Sequence, residues 1–506
     1  MTTEKILKKA IYGGNKERIE KQKQQGKHTA RERLEILLDE NTFFELDQLV
    51  TSPFLKNKNY TDGVITGFGK INDNKVAIYA QDFTINGGSV GKHHAKKICK
   101  IMDMAAKIGC PIIGIIDSGG ARINEGIHGL CGYGDIFLRN TRYSGIIPQI
   151  SIIAGPCAGG AVYSPALTDF IFTTEKISNL FITGPNVILQ VLHQTISKEE
   201  LGGSIVHSQL SGVAHVNSLT EEETFEKVKR LLSYLPCNYL DDAQNDRREF
   251  EEPLNSNLSN LIPQDMNSTY DVKEVINFVF DLDSFFEIQE SFAQNIVIGF
   301  ARLEGKNVGI IANQPLIKAG TLDIDASCKA ARFINFCDNF SIPIISLVDI
   351  PGFLPGIDQE HNGIIRHGAK LLYAYSRATI PKITVILRKA YGGAYIVMGS
   401  KQLGADFNFA LPFAQIAVLG AKGAVSILHR KNLEKIDDNQ EREQLRKKFE
   451  QEYKEEFLNP FEAAEYGYID AILEPNQIRK ELQRSLNIIQ DKVEKLPSRK
   501  HGNIPL

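Results

Sequence analysis

A chain that repeats its own sequence must fold as two copies of one unit, and this 506-residue chain does so over most of its length. The stretch IPQISIIAGPCAGGAVY (Ile147 to Tyr163) recurs without a gap as IPKITVILRKAYGGAY (Ile380 to Tyr395), displaced by 233 positions. Upstream the displacement is 232: GFGKINDNKVAIYAQD (Gly67 to Asp82) falls on GFARLEGKNVGIIANQ (Gly299 to Gln314). The segment AKKICKIMDMAAKIGCPIIGIIDSGG falls on CKAARFINFCDNFSIPIISLVDIPG, and FFEL (Phe43 to Leu46) is echoed by FFEI (Phe285 to Ile288). So long a period excludes a solenoid, whose repeats run about 20–50 residues. It leaves a duplicated domain.

Each copy opens with two alternating runs around a polar turn, the pattern of a β-hairpin. Apolar residues at helical spacing follow, then Pro111 or Pro343, then a buried-strand run ending at Asp117 or Asp349. After another helix, a β-branched run breaks into Gly159-Gly160 or Gly392-Gly393. The reading for each half is strand pair, helix, strand, helix, strand and Gly-Gly helix, followed by further helices, an α/β fold. The domains are expected at 1–250 and 265–506. The Pro/Asn/Asp-rich stretch at about 237–264 has linker composition.

A Gly-Gly at a strand-to-helix junction lets backbone approach a ligand and aims N–H groups at developing negative charge. Joined by N–H groups of a second loop, it makes an oxyanion hole. That loop is expected at Asp117-Ser118-Gly119-Gly120-Ala121-Arg122 in the first half and at Asp349-Ile350-Pro351-Gly352-Phe353 in the second. The glycines could instead serve tight helix–strand packing, but their duplication with matching loops favours two anion pockets. Side-chain chemistry looks thin. Ser118 does not sit in a G-x-S-x-G, which makes it a loop hydrogen-bonder rather than a nucleophile. There is no Walker A, since GGSVGK has the wrong spacing, and the histidines form no paired motif. Two anion pockets without an obvious base suggest that a substrate or cofactor supplies one.

Composition excludes other classes. Net charge is −3 with basic residues spread throughout, so nothing points to nucleic acid. Seven cysteines without C-x-x-C or zinc spacing read as buried thiols of a reducing compartment, and no metal is expected. No run approaches the ~20 apolar residues of a membrane span. The start, MTTEKILKKAIYGG, has neither signal nor transit character, so the expected location is the cytoplasm, or the mitochondrial matrix in a eukaryote. The alternating charges from Asp437 to Glu456 read as a solvated helix face.

Eight segments in order carry a family resemblance: GKHTARERLEILLD (Gly26 to Asp39), QDFTINGGSVG (Gln81 to Gly91), DSGGARINEG (Asp117 to Gly126), GPCAGGAVYSPALTDF (Gly155 to Phe170), VDIPGFLPG (Val348 to Gly356), GIIRHGAKLLYAY (Gly363 to Tyr375), RKAYGGAY (Arg388 to Tyr395) and HGNIPL (His501 to Leu506). Across essentially its whole length the chain resembles the carboxyltransferase (β) subunits of biotin-dependent acyl-CoA carboxylases, those of the propionyl-CoA type above all. The resemblance implies two tandem crotonase-type domains and a homo-hexamer, with each active site between the first domain of one subunit and the second of another. It implies a partner (α) subunit with biotin carboxylase and biotin carboxyl carrier domains, in an α6β6 holoenzyme. The chain agrees in lacking a biotinylation tetrapeptide, because none of its five methionines adjoins a lysine.

The implied reaction uses both pockets. Carboxybiotin on the partner's arm would break down to carbon dioxide and a ureido anion held by the N–H groups of Gly393 and Ala394. The biotin ring nitrogen would take the α-proton of an acyl-CoA. The N–H groups of Gly159 and Gly160 would hold the enolate that attacks carbon dioxide. Gly119, Gly120, Ala121, Arg122 and Tyr163 are implied around coenzyme A, with Gly392, Tyr395 and Ile396 around biotin.

The departures concern the substrate. Ile396 stands where propionyl-type subunits usually have Asp and resembles carboxylases that also take acetyl-CoA. Gln415 replaces a common Glu, Leu411 a common Trp, and VLHQTISKEELGG also varies from the family's text. The alternatives are a methylmalonyl-CoA decarboxylase or transcarboxylase subunit, a biotin-independent crotonase-type hydratase or thioesterase, and an inactive scaffold subunit. The last is disfavoured by the survival of both glycine pairs.

Overall fold

The structure is a computed structural model that describes residues 2–55, 59–241, 250–251 and 258–505. It divides into two compact units, Met1–Gln244 and Asn245–Leu506. Much of the stretch read as a linker, residues 242–249 and 252–257, lies outside the described residues.

The first unit is built on an eight-stranded sheet in the order β1-β2-β3-β4-β5-β6-β8, with β7 paired to β5. Its strands are β1 (Phe44–Leu46), β2 (Val64–Ile71), β3 (Asn74–Gln81), β4 (Ile112–Ser118), β5 (Gln149–Ala158), β6 (Phe170–Thr174), β7 (Asn179–Phe181) and β8 (Val216–Ser218). The hairpin β2–β3 turns over two residues, Asn72 and Asp73, both at positive φ (50° and 66°). That is the type I′ geometry that matches the twist of paired strands. From β3 onward the ladder is parallel, so each crossover needs a helix. Helix Lys92–Ile108 supplies one, packing Ile98, Ile101, Met102 and Ala105 inward. It stops at Gly109 in the left-handed conformation, φ 74°, the usual glycine helix end. Helix Ile127–Tyr143 supplies the next crossover.

The second unit repeats this path as β16-β14-β13-β12-β11-β10-β9, with β15 on β13. Its strands are β9 (Phe286–Ile288), β10 (Ile296–Leu303), β11 (Lys306–Asn313), β12 (Ile344–Ile350), β13 (Lys382–Tyr391), β14 (Phe407–Ala410), β15 (Gln415–Ala417) and β16 (Ala471–Ile472). Glu304 and Gly305, again both at positive φ, make its hairpin turn. Helices Ile324–Asn339 and Ile364–Arg377 make the crossovers.

The echo FFEL/FFEI falls on β1 and β9, a third antiparallel strand beside each hairpin. Short parallel strands also follow each Gly-Gly turn, where the sequence reading had only helices. They run from two to five residues, too short to show an alternating pattern. The charged run forms helix Asn439–Phe457, with no buried side chain. Of the seven cysteines four are buried, Cys237 and Cys328 are half-buried and Cys131 is exposed, so the reading of seven buried thiols fails at three positions.

Candidate functional site: two N–H turns

Strands β5 and β13 both change partner near their ends. In β5, Ile150–Ile153 pair with β6 and Pro156–Ala158 pair with β7. In β13, Ile383–Ile386 pair with β14 and Lys389–Tyr391 with β15. Each strand then breaks into its glycine pair. Gly159 (φ 62°) and Gly392 (φ 60°) occupy the left-handed region, where a side chain would be strained. The following residues wind into a helical turn, Gly159–Val162 in the first unit and Gly392–Val397 in the second.

The opening N–H groups of a helix have no intrahelical acceptor. Among the described residues no loop or cap bond takes up those of Gly160, Ala161, Gly393 or Ala394. The second glycine of each pair is open. A Cβ on Gly393 would meet no heavy atom within 4 Å, and one on Gly160 would only touch the Tyr133 ring at 3.6 Å. The protein's own packing therefore does not demand a glycine at either place.

The neighbouring loops are zipped rather than presented. The N–H of Gly119 donates to Gly87 O (2.9 Å), that of Gly120 to Ser118 Oγ (3.2 Å) and that of Arg122 to Val90 O (2.9 Å). In the second unit Leu322 and Phe353 form the matching bridge. Ser118 Oγ also donates to Gly88 O, a loop role. Gly120, at φ 97°, lies so close to Ala158 that a Cβ would come within 2.9 Å of its carbonyl oxygen. The Arg122 side chain is buried and directed inward. Its Nη1 donates to Asp62 Oδ1 (2.6 Å) and Glu125 Oε1 (2.8 Å), and its Nη2 to Ser89 O (2.8 Å). Of the N–H groups from Gly119 to Arg122, only that of Ala121 is left without such an acceptor among the described residues, so the loop offers far fewer donors than the sequence suggested.

Side chains at the turns are mostly aromatic. Tyr163 is half exposed and meets Phe137 edge-on at 6.1 Å, and Phe137 stacks on Tyr133. Burial holds the Tyr133 hydroxyl well above its usual range, which disqualifies it as a base at neutral pH. In the second unit Tyr391 donates its hydroxyl to Gln415, and burial pushes it up to about 12. Tyr395 and Ile396 are half-buried in the helical turn itself, and burial also raises the Tyr395 hydroxyl. Ile396 occupies the position that Tyr163 holds in the first copy.

Two features escaped the sequence reading. Behind each turn lies a buried aspartate with its cation: Asp117 with Lys27 and Arg33, and Asp349 with Arg388. In the first unit lies a cavity of about 560 Å³ lined by Lys9, Arg18, Asn15, Thr84 and Asn86 among others. A smaller one adjoins it and adds Lys21. Among the described residues no carboxylate lines either cavity, and Lys9, Arg18 and Lys21 make the described lining cationic. The loop Asn86–Gly88 that walls them is bonded to Gly119 and Ser118, one loop from Gly159.

The protein thus consists of two duplicated α/β units, each ending a parallel strand in an open N–H turn. A family model described as the carboxyl transferase domain matches residues 21–504, and the chain belongs to that family. Its full-length relatives include the propionyl-CoA carboxylase carboxyltransferase subunit of Haloferax mediterranei, 53% identical over 503 residues (98% of this chain and 97% of that one). The methylmalonyl-CoA decarboxylase subunit alpha of Propionigenium modestum is 49% identical over 513 residues (99% and 98%). Among solved structures, the transcarboxylase 12S hexamer core with methylmalonyl-coenzyme A and methylmalonic acid bound superposes with a TM-score of 0.96. It is 44% identical and covers 100% of this chain and 99% of its own. The fold is thus the tandem crotonase-like one that the resemblance implied.

Proposed function

We propose that the chain is the carboxyltransferase component of a biotin-dependent propionyl-CoA carboxylase, moving a carboxyl group from a partner-borne biotin to the α-carbon of propionyl-CoA. The observation that carries this reading is the pair of open N–H turns, one per unit, whose second glycines the protein's own packing leaves open. Gly159 and Gly160 hold the thioester oxygen as it becomes an enolate. Donors aimed at such developing charge contribute about 10²–10³ each in rate. The cationic cavities one loop away suit the phosphates of coenzyme A, with Gly119, Gly120, Ala121 and Tyr163 along the path between. Arg122 stiffens that loop through its bonds to Asp62 and Glu125.

The second turn suits the ureido oxygen of biotin, because the space over Gly393 is open, with no heavy atom of the chain within 4 Å of where a Cβ would stand. Gly393 and Ala394 donate to it, and Gly392, Tyr395 and Ile396 form its wall. Biotin, when bound in its carboxylated form, supplies both the carboxyl group and the ring nitrogen that accepts the α-proton.

The same turns serve transfer in either direction. A decarboxylase or transcarboxylase role is the second reading, favoured by the 49% identity to a decarboxylase subunit over the whole length. A biotin-carrying partner subunit and a homo-hexameric core in an α6β6 assembly belong to the proposal, as does a cytoplasmic location. Among the described residues no helix is long and apolar enough to cross a membrane. Self-association is supported by helix Pro185–Leu192, which buries none of its side chains and exposes Val187, Leu189, Val191 and Leu192. Its counterpart Ala421–Leu428 exposes Ile427 and Leu428.

The test is reconstitution. The purified chain, a biotin-bearing partner, ATP, bicarbonate and propionyl-CoA should yield methylmalonyl-CoA, and methylmalonyl-CoA with free biotin should give the reverse transfer. Failure of both reactions, with acetyl-CoA and malonyl-CoA also inert, overturns the reading.

A further inference from the structure

Between the pairs Ile116↔Ile153 and Ser118↔Cys157, β4 advances two residues while β5 advances four. The same slip occurs between Val348↔Ile386 and Ile350↔Ala390 in β12 and β13. Each strand that leads to a glycine turn therefore carries a wide bulge just where it leaves one neighbour for the next. A bulge leaves backbone groups without ladder partners and re-aims the strand beyond it. One residue faces each bulge: Asp117 in the first unit and Asp349 in the second.

The two copies fill this place in different ways. In the second unit Asp349 Oδ1 accepts the N–H of Lys389 (3.1 Å), inside the bulge, and Oδ2 accepts Arg388 Nε (2.8 Å). Arg388 comes from the bulge itself. Its guanidinium lies over the Tyr270 ring at 4.7 Å, and Nη1 donates to Asp265 O and Ser268 O. In the first unit the positions of Arg388 and Lys389 are held by Gly155 and Pro156. Proline has no N–H to offer. A Cβ on Gly155 would stand 2.0 Å from Asp117 Oδ1 and 2.6 Å from Lys27 Nζ.

The missing cation arrives from far away in the chain. Lys27 Nζ lies 2.8 Å from Asp117 Oδ1, and Arg33 Nη1 lies 2.9 Å from Oδ2. Arg33 Nη2 donates to Ala154 O (2.6 Å), the carbonyl that the bulge orphans, and Nε donates to Glu221 (2.7 Å). Asp117, Arg33, Asp349 and Arg388 are each no more than 1% exposed. Buried charges so placed tolerate the loss of a partner poorly and hold geometry tightly.

We infer that Asp117 and Asp349 are positioning residues, each setting the direction in which its bulged strand delivers the N–H turn, and that Lys27 and Arg33 make the N-terminal segment part of the first turn's frame. The inference rests on the proposed division of labour, with acyl-CoA at the first turn and biotin at the second. It makes the two networks separable by substrate. A displacement of about 1 Å at a reacting centre costs on the order of 10²-fold in rate.

The experiment measures reverse transfer from methylmalonyl-CoA to free biotin with the full-length chain, taking kcat and KM for each substrate beside a thermal melt. Asp349→Asn and Arg388→Lys should raise KM for biotin and lower kcat on the order of tenfold or more, leaving KM for methylmalonyl-CoA within about twofold. Asp117→Asn, Arg33→Lys and Gly155→Ala should do the converse. Where a single variant fails to fold, the pair Asp349→Leu with Arg388→Met removes both charges at once, an exchange such sites often accept. It should still lose the biotin side, because Lys389 N–H loses its acceptor. Wild-type kinetics in the folded double variant, or equal effects on both substrates from either network, overturns the inference alone. A wild-type chain with no transfer in either direction overturns the functional reading and this inference with it.

Discussion

Replacing Gly393 by alanine separates what the fold requires from what the chemistry requires. The added methyl meets no heavy atom of the chain within 4 Å, and Gly393 is not among the residues at positive φ. In a helical turn the exchange of Gly for Ala stabilises by roughly 0.5–1 kcal/mol, through the conformational freedom the unfolded chain no longer has. Every helical Cα–Cβ bond leans toward the helix N-terminus, so the methyl enters the space over the free N–H groups. If an oxyanion sits there, its loss from even one donor corresponds to about 2.7–4 kcal/mol of transition-state stabilisation. The variant should therefore melt at or slightly above the wild-type temperature while kcat for transfer to free biotin falls by about 10²–10³. Gly392→Ala is the contrast. It forces a side chain to φ 60° with its Cβ 3.1 Å from Val418 O, so its melting temperature should fall as well. A Gly393→Ala protein that melts normally and turns over within about twofold of wild type would refute the oxyanion role.

Four further outcomes are expected. Arg18→Ala with Lys21→Ala should raise KM for propionyl-CoA and leave KM for biotin alone, if the cationic cavities take the phosphates. Ile396→Asp should shift the kcat/KM ratio toward propionyl-CoA over acetyl-CoA by an amount of the order of one methylene, about 1–3 kcal/mol. At Glu32 burial opposes the charged form, but Lys23 and Thr29 prevail and hold its carboxyl at about 2. A depressed carboxylate stabilises above its unfolded value near 4.5 and stops doing so as pH falls toward 2. The melting difference between wild type and Glu32→Gln should therefore be full at pH 7 and vanish near pH 2. Lys329 donates to the carbonyls of Gln289, Phe292 and Ile296, and burial lowers it from 10.5 to about 7. The unfolded chain binds more protons across that window, so folded stability rises with pH there. Lys329→Met should be destabilised throughout, and its gap to wild type in urea midpoint should widen between pH 7 and pH 10.

What the sequence revealed follows from how far apart the cooperating residues lie. The hairpins, the buried strands and the glycine turns are local patterns, and duplication doubled each signal. The buried aspartates were visible as strand ends, but their partners were not. Lys27 and Arg33 reach Asp117 across 90 and 84 positions, and comparison of the halves hides them because Arg388 aligns with a glycine. Three Gly-loop N–H groups looked available because composition cannot say that Gly87, Ser118 and Val90 would accept them. The strands after each turn are too short for periodicity to register.

The unequal source of the buried cation also decides where this protein can be cut. A fragment of the first unit starting at β1, its first strand, would strand Asp117 in the interior with no counter-charge. Its minimal form must begin upstream of Lys27 and so keep the helix Ala30–Leu37, which lies outside the sheet's own strands. The second unit carries Arg388 within its own strand and needs only the carbonyls of Pro263, Asp265 and Ser268 to finish the guanidinium. Two halves with one topology thus differ in autonomy, and a split or circularly permuted version has a natural opening ahead of Glu251, whose carbonyl already accepts from Leu282, and none between residues 27 and 44.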